Sequence, residues 1–322
     1  TLSFEKVRKY IALAQKHGIT VHLYYNIIDG QKHYVTKEFP ESIVRNERGE
    51  LVEAFHDCYL MNADLDLPFG KHCLEQFTKL LDTYSKAEAV FFDVYGRHYD
   101  LDFGHDDGLT MANNKPAYCV KFAFLRLMEK INPMLRERGM IFSANKPEGI
   151  ETMRGIDYIM ADEGLDSERV EAMSYYALFK PIIVLDGRIA TRAEPVFQTC
   201  LRLGMLYNDL DPDRDLERGD QTQQQQALKA LEVYAPLFDH LIGRTWVLSA
   251  NALDLPEGVL GNIFRQPSED YIVALVSDDR SIFDDLPPRK NVEVVVRVPD
   301  AKKIAKAETY SSDYKGTKQA TI

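Results

Sequence analysis

The residue best suited to chemistry is an aspartate at the end of an apolar run. Residues 89–94 read Ala-Val-Phe-Phe-Asp-Val and predict a buried strand that ends at Asp93. Burying an ionised carboxylate is costly unless the group is paired or has a task. At the carboxyl end of a barrel strand the task is usually catalysis, and the alternative for Asp93 is that it caps the next helix or holds a turn. Asp93 is therefore the first candidate catalytic residue.

A second run, residues 158–164, ends in two adjacent carboxylates, Asp162 and Glu163. Successive side chains of a strand point to opposite faces, so only one of the two can face a pocket while the strand is regular. We favour Glu163, with Asp162 as its loop or helix partner. Carboxylates from two strands can act as nucleophile and general acid/base in glycoside cleavage, although structural ion pairs use the same residue types.

Other polar residues lie at or just after the predicted strand ends, or in the long polar connection 95–114. Long connections of this kind are commonly functional. Planar and hydroxyl donors suit sugar hydroxyls, although each residue alone is as common in a turn or cap. The candidate substrate-binding residues are Tyr25, Asn26, Arg97, His98, Asn145, Lys146 and Asp186.

The same connection holds His105, Asp106 and Asp107, which resemble part of a metal site. Three adjacent ligands rarely converge on one ion, so we expect a structural turn there. The sequence has no histidine pair with metal-binding spacing, no nucleophile-elbow motif and no glycine-rich phosphate fingerprint. We therefore predict no metal ligand and no cofactor.

The elements that must position these residues alternate along the chain. Short apolar runs predict strands at 19–25, 89–94, 140–144, 158–161, 181–185 and 204–207, and amphipathic runs between them predict helices. This alternation indicates a parallel sheet covered by helices. Because polar residues gather at the strand ends, we favour a (β/α)8-type barrel over an open sheet. With about six strands where such a barrel has eight, we expect the first two strand–helix units to be missing, which makes 89–94 the fourth strand.

The chain changes character near Gly243. Beyond it, runs at 245–249, 259–264, 271–276 and 292–298 predict strands separated by turns, with no helical pattern. We predict a barrel domain over 1–243 and a small antiparallel, β-sandwich-like domain over 244–322.

Composition narrows the possible partners. The chain has 322 residues and a net charge of −11, which disfavours nucleic acid. No apolar run approaches the roughly 20 residues needed to cross a membrane. Its four scattered cysteines suggest reduced thiols, so we expect a cytoplasmic protein. An incomplete barrel would also expose apolar edges that a second copy could cover.

Three segments carry a resemblance: 91–96 (Phe-Phe-Asp-Val-Tyr-Gly), 105–108 with 113–118, and 160–164 (Met-Ala-Asp-Glu-Gly). They resemble a poorly characterised group of glycoside hydrolases and, more distantly, the α-galactosidase/α-glucosidase barrel superfamily. The resemblance covers about 19–249, and a trailing β domain is usual in that superfamily. It implies a retaining glycosidase with a carbohydrate substrate, in which Asp93 is the fourth-strand nucleophile and Glu163 the sixth-strand acid/base. The first two barrel strands, which supply substrate contacts in that superfamily, are not evident in this sequence.

Two other functions fit the same residues. A metal-assisted barrel lyase or hydrolase could use Asp93, Asp162 or Glu163, and Asp186 as oxygen ligands. A barrel that binds carbohydrate without cleaving it is the non-enzymatic alternative.

Overall fold

A computed structural model describes residues 3–95, 100–147, 149–161, 168–185, 189–207, 221–277, 291–298 and 304–321. By compactness the chain divides into two units, Thr1–Asp157 and Tyr158–Ile322. Along the described ranges, no helix is both long and apolar enough to span a membrane.

The first unit alternates helices with short strands. Its helices are α1 (Phe4–Lys16), α2 (Lys32–Glu38), α3 (Pro68–Thr83) and α4 (Val120–Glu137). Its strands are β1 (His22–Tyr25), β2 (Asp29–Gln31), β3 (Cys58–Leu60), β4 (Ala89–Phe92), β5 (Leu101–Asp102), β6 (Thr110–Ala112), β7 (Lys115–Cys119) and β8 (Ile141–Asn145). A 3-10 turn, Pro40–Ser42, lies between α2 and β3.

Strands β1, β4 and β8 pair in parallel in that order, with Tyr24 opposite Phe91 and Phe91 opposite Ser143. One face of these strands packs on the helices. Phe92 is fully buried there, with its ring 5.4 Å from Phe77 of α3 and 5.3 Å from Phe142. Burying such side chains contributes roughly 1.5–3 kcal/mol each. The other face is more polar and carries His22, Tyr24, Ser143 and Asn145; we refer to it as the polar face.

Two smaller sheets fill the connections that follow β1 and β4. β2 pairs antiparallel with β3, and β7 lies between β5 and β6. The two connections meet at Asp102, whose side chain accepts hydrogen bonds from the Arg45 backbone N–H and the Asn62 amide.

The second unit begins with three parallel strands and their helices. The strands are β9 (Tyr158–Ala161), β10 (Ile182–Val184) and β11 (Leu206–Tyr207), paired in chain order. The helices are α5 (Glu168–Ala177), α6 (Ile189–Leu203) and α7 (Gln221–Phe238). Phe197 of α6 is fully buried against Tyr234 of α7. The glutamine run 223–226 lies in the first turns of α7.

Antiparallel strands follow the 3-10 turn Asp239–Leu241. They are β12 (Thr245–Trp246), β13 (Leu253–Asp254), β14 (Val259–Arg265), β15 (Tyr271–Ser277), β16 (Val295–Val296), β17 (Glu308–Ser311) and β18 (Tyr314–Gln319). β14 lies between β12 and β15, β13 pairs with β16, and β17 pairs with β18. The indole of Trp246 donates a hydrogen bond to the Ser174 hydroxyl of α5, so these strands pack on the helices of the second unit.

The six parallel strands predicted from the sequence are therefore confirmed, and most of them are shorter than predicted. Antiparallel strands also follow Gly243 as expected. Closure of a barrel and a separate domain starting at residue 244 stay predictions. All four cysteines are free thiols, of which Cys73 and Cys200 are buried.

Candidate active site

Asp93 comes directly after β4, where the chain leaves the sheet. Its backbone N–H still donates to the Tyr25 carbonyl at 3.0 Å, which continues the ladder by one residue. The next residue, Val94, has a φ of 51°. Positive φ is rare and strained for a β-branched residue, and strain of this kind is concentrated at functional sites. The turn ends the strand abruptly, and it sets the carboxylate of Asp93 at the strand's carboxyl end.

Three donors hold this carboxylate. The Tyr24 hydroxyl donates to Oδ2 at 2.6 Å, and the Asn145 amide donates to Oδ1 at 2.8 Å. The backbone N–H of Val94 also donates to Oδ1, at 2.8 Å. Tyr24 belongs to β1, Asn145 ends β8 and Val94 follows β4. The parallel pairing of these three strands therefore brings the donors to Asp93.

These donors keep Asp93 ionised. Partial burial alone would raise the pKa of Asp93, but the hydrogen bonds from Tyr24, Asn145 and Val94 and the positive charge of Lys146 outweigh burial. The net result is a pKa below the ordinary aspartate value. A carboxylate in this setting is negatively charged at neutral pH and can act as a nucleophile or stabilise a developing cation.

Tyr24 lies on the polar face beside Asp93, and 59% of the residue's surface is exposed to solvent. Its ring is tilted against Phe91 with the centroids 6.0 Å apart. The pKa of its hydroxyl is raised by desolvation and by the hydrogen bond to Asp93, with smaller effects from the negative charges of Asp93 and Asp29. Tyr24 therefore stays protonated at neutral pH and can donate its hydrogen bond to Asp93.

A second carboxylate, Asp29, lies close to Asp93 and Tyr24. Its Oδ2 accepts a hydrogen bond from the Asn26 amide at 3.1 Å, and Asn26 Oδ1 in turn accepts from the Ile28 N–H. Burial raises the pKa of Asp29; the Asn26 hydrogen bond lowers it, and the negative charge of Asp93 raises it further. Asp29 and Asp93 are thus two neighbouring carboxyl groups whose pKa values are shifted in opposite directions, as is typical of paired acid and base groups.

Nearer the middle of the strands, side chains of the polar face form further hydrogen bonds. Ser143 donates to the Val90 carbonyl at 3.1 Å, and His22 Nδ1 lies 3.0 Å from the Ser143 hydroxyl. Burial lowers the pKa of His22, which favours the neutral ring. His22 is therefore a hydrogen-bonded structural histidine.

The structure brings together three of the predicted site residues and moves a fourth away. Asn145 donates to Asp93 directly, and Lys146 acts on Asp93 through its charge. Asn26 donates to Asp29, whose pKa the charge of Asp93 raises. Tyr25 instead lies on the helix-packed face, where its hydroxyl donates to the Cys73 carbonyl at 2.9 Å. Alternation along β1 places Tyr24 rather than Tyr25 beside Asp93, and substrate binding by Tyr25 stays a prediction.

Five other predicted residues lie outside the described ranges. They are Arg97, His98, Asp162, Glu163 and Asp186. Their roles as acid/base, partner or substrate contacts stay predictions. Sequence reasoning also missed Tyr24 and Asp29. Alternation along β1 could have indicated Tyr24, and Asp29 could have been noticed as a carboxylate four residues after the end of β1.

The His105–Asp107 segment is a structural turn, as expected. Asp107 accepts from the backbone N–H groups of Leu109, Thr110 and Cys119 and from the Thr110 hydroxyl. Within the described ranges, no group of three or more His, Cys, Asp or Glu side chains is arranged to hold a metal ion.

Comparison with known proteins identifies the fold. No protein-family model matches the sequence, and no curated protein is significantly similar to it. The structure is similar to the α-N-acetylgalactosaminidase NagBb from Bifidobacterium bifidum, with a TM-score of 0.53 at 11% identity, covering 84% of this chain and 43% of that one. It is also similar to the α-galactosidase AgaA from Geobacillus stearothermophilus, with a TM-score of 0.51 at 11% identity, covering 83% and 38%.

A maltogenic α-amylase, AmyB from Thermotoga neapolitana, is similar as well, with a TM-score of 0.50 at 11% identity over 85% of this chain and 68% of that one. The chain thus spans about two fifths of the length of the first two enzymes. All three structural neighbours are glycoside hydrolases, so the resemblance predicted from the sequence is confirmed for the fold. The chain shares the fold of these three enzymes, and Asp93 lies at the carboxyl end of one of its parallel strands.

Proposed function

We propose that the chain is a retaining glycoside hydrolase in which Asp93 is the nucleophile and Glu163 the general acid/base. One observation carries the proposal: an ionised aspartate at a strand end accepts hydrogen bonds from side chains of both neighbouring strands and from the next backbone N–H. The fold supports it, because the structural neighbours are glycosidases. The resemblance of the sequence to the α-galactosidase/α-glucosidase superfamily supports the choice of Asp93.

In the first step Asp93 attacks the anomeric carbon and forms a carbon–oxygen bond. The bond from that carbon to the leaving oxygen breaks with its electron pair, and Glu163 supplies a proton to the leaving oxygen. In the second step Glu163 takes a proton from water while the water oxygen bonds to the anomeric carbon. The bond between that carbon and Asp93 breaks, so Asp93 is again a carboxylate and Glu163 is again protonated. Retention of this kind requires the two carboxyl groups to be roughly 5–5.5 Å apart.

The remaining residues would bind and orient the sugar. In this proposal Asn26, Arg97, His98 and Asp186 contact hydroxyl groups, and Lys146 adds positive charge. Asn145 holds the nucleophile through its amide rather than binding the sugar. Asp29 is an additional candidate, because it lies near Asp93 and its carboxyl oxygens can accept a hydrogen bond from a sugar hydroxyl.

The structural neighbours suggest which substrates to test. Their names denote cleavage of α-galactosides, N-acetyl-α-galactosaminides and α-glucans. We therefore propose a carbohydrate substrate with an α-linked hexose or hexosamine. Aryl α-galactosides, N-acetyl-α-galactosaminides and α-glucosides make up the first panel.

Single substitutions test the roles of the two carboxylates. Asp93→Ala should lower kcat/KM at least about 10³-fold on every substrate that the wild-type chain cleaves, because the covalent step is lost. Glu163→Ala should spare the first step for leaving groups that need no proton, such as dinitrophenol, and slow it for poor leaving groups. Asp162→Ala is the matched control and should retain the wild-type dependence on the leaving group.

The same measurements separate the alternative functions. Near-wild-type turnover by Asp93→Ala would rule out Asp93 as the nucleophile. Loss of activity in a metal chelator, restored by Mg²⁺, would favour the metal-assisted hydrolase or lyase. Saturable sugar binding without turnover would favour the carbohydrate-binding barrel.

A further inference from the structure

The carboxylate of Asp93 is held unequally at its two oxygens. Oδ1 accepts two hydrogen bonds, from Asn145 and from the Val94 N–H, whereas Oδ2 accepts one, from Tyr24. Each carboxylate oxygen has about two lone-pair sites. Among the described residues, Oδ1 is therefore saturated, and Oδ2 keeps one site that can form a bond.

We propose that Tyr24 is a positioning residue that selects Oδ2 of Asp93 as the attacking oxygen and fixes its direction. The proposal rests on the function proposed above. In the covalent step the remaining lone pair of Oδ2 forms the bond to the anomeric carbon while the bond to the leaving oxygen breaks. Oδ1 becomes the carbonyl oxygen of the ester and keeps its hydrogen bonds from Asn145 and the Val94 N–H.

The placement of Tyr24 suits this role. It lies in the regular part of β1, paired in register with Phe91, so a strand rather than a loop sets the direction of its hydroxyl. Positioning groups on regular elements are held more precisely than groups on loops. Its exposed ring leaves the hydroxyl at the surface where a sugar would approach.

The charges around this contact come from three segments. Asp93 follows β4, Asp29 belongs to β2, and Lys146 follows β8. The negative charge of Asp93 raises the pKa of Asp29, whereas Lys146 and the Tyr24 hydroxyl lower the pKa of Asp93. Removing the hydroxyl shifts this balance toward the protonated, inactive carboxyl group.

The test is the pH profile of kcat/KM for Tyr24→Phe, on the best substrate of the wild-type chain. The acidic limb should move to higher pH, so that activity on that limb falls at least about threefold more than activity on the plateau. The plateau itself should fall roughly tenfold, because the attacking oxygen is less well oriented. KM should change little, since the proposed role is in orienting the nucleophile.

Tyr10→Phe is the matched control. Tyr10 is an exposed tyrosine of α1 that packs beneath Lys6, outside the site, and its loss should leave the profile unchanged. Thermal unfolding of both variants should match the wild-type chain. A structure of the ester formed by a 2-fluoroglycoside should show the sugar on Oδ2, with Oδ1 still bound to Asn145 and the Val94 N–H.

The outcomes distinguish this proposal from the function on which it rests. If the wild-type chain is active and Tyr24→Phe keeps the wild-type acidic limb, the role of Tyr24 is wrong while the glycosidase function stands. A sugar bound to Oδ1 would have the same consequence. If the wild-type chain cleaves no glycoside, the proposed function fails and the Tyr24 proposal fails with it.

Discussion

Two aspartates of the first unit both have lowered pKa values but differ in burial and in how many hydrogen bonds their oxygens accept. Asp93 and Asp102 both have lowered pKa values, and in both cases hydrogen bonds to the charged form outweigh burial. Asp102 is fully buried and accepts from the N–H groups of Arg45 and Gly104 at Oδ1, and from Asn62 and His105 at Oδ2. All four of its lone-pair sites are filled.

Asp93 has three donors among the described residues and is only half-buried. The two aspartates together show that a perturbed pKa does not by itself identify a reactive carboxylate. A carboxylate whose lone-pair sites are all filled has a structural role, because it has no lone pair left with which to bind a substrate. A carboxylate with one site left, at the end of a strand, can react.

The two aspartates should differ most in their contribution to stability. Asp102→Ala should lower the free energy of unfolding by about 3–5 kcal/mol, because four donors lose their acceptor in a buried place. Asp106→Ala is the matched control, since Asp106 is exposed in the same loop and accepts only from the Gly108 N–H among described groups. Its cost should stay below about 1 kcal/mol. Urea unfolding monitored by circular dichroism measures both.

The distinction between the two aspartates would fail if Asp102→Ala unfolded like the wild-type chain. It would also fail if Asp93→Ala lost as much stability as Asp102→Ala. Asp93→Ala should instead lose activity and change the free energy of unfolding by no more than about 1 kcal/mol, since its site is half-exposed.

A smaller effect should come from His105, which donates to Asp102 at 2.6 Å. This hydrogen bond raises the pKa of His105, and the charges of Asp102, Asp64 and Glu41 raise it further against the effect of burial. A raised pKa contributes stability that is fully present below the unfolded-state value, about 6.5, and is lost as the pH rises through the folded-state value. The lowered pKa of Asp102 has the opposite dependence: its contribution is lost as the pH falls through the folded-state value.

The pair should therefore stabilise the fold most between about pH 4 and 6.5. We expect His105→Gln to cost about 1 kcal/mol in that window and progressively less above it. Urea unfolding at intervals from pH 4 to 9 measures the difference. A difference that stays constant over the whole range would show that the charge of His105 does not matter.

The parallel strands could be predicted from the sequence because a strand buried on both faces leaves an unbroken apolar run. Residues 89–92 and 158–161 are such runs, and their short length and bounding polar residues favour strands over helices. Asp93 was predictable for the same reason, as the first charged residue after such a run.

The partners of Asp93 were harder to predict. Choosing Tyr24 over Tyr25 requires knowing which face of β1 meets α3, and that depends on packing against Phe77. Asp29 follows β1 through a turn whose direction is fixed by pairing with β3. The saturation of Asp102 depends on Asn62 and Arg45, some forty to sixty residues away. None of these contacts can be deduced from the spacing of residues along the sequence.

Covalent trapping of the nucleophile is the most direct test of the role of Asp93. The wild-type chain is incubated with a 2-deoxy-2-fluoro glycoside that has a good leaving group and matches its best substrate. Intact-mass spectrometry should show the addition of one fluorosugar, and peptide mapping should place it on Asp93, with no labelling of Asp93→Ala. A label on any other residue, or an active chain that forms no adduct, would contradict the claim that Asp93 is the nucleophile.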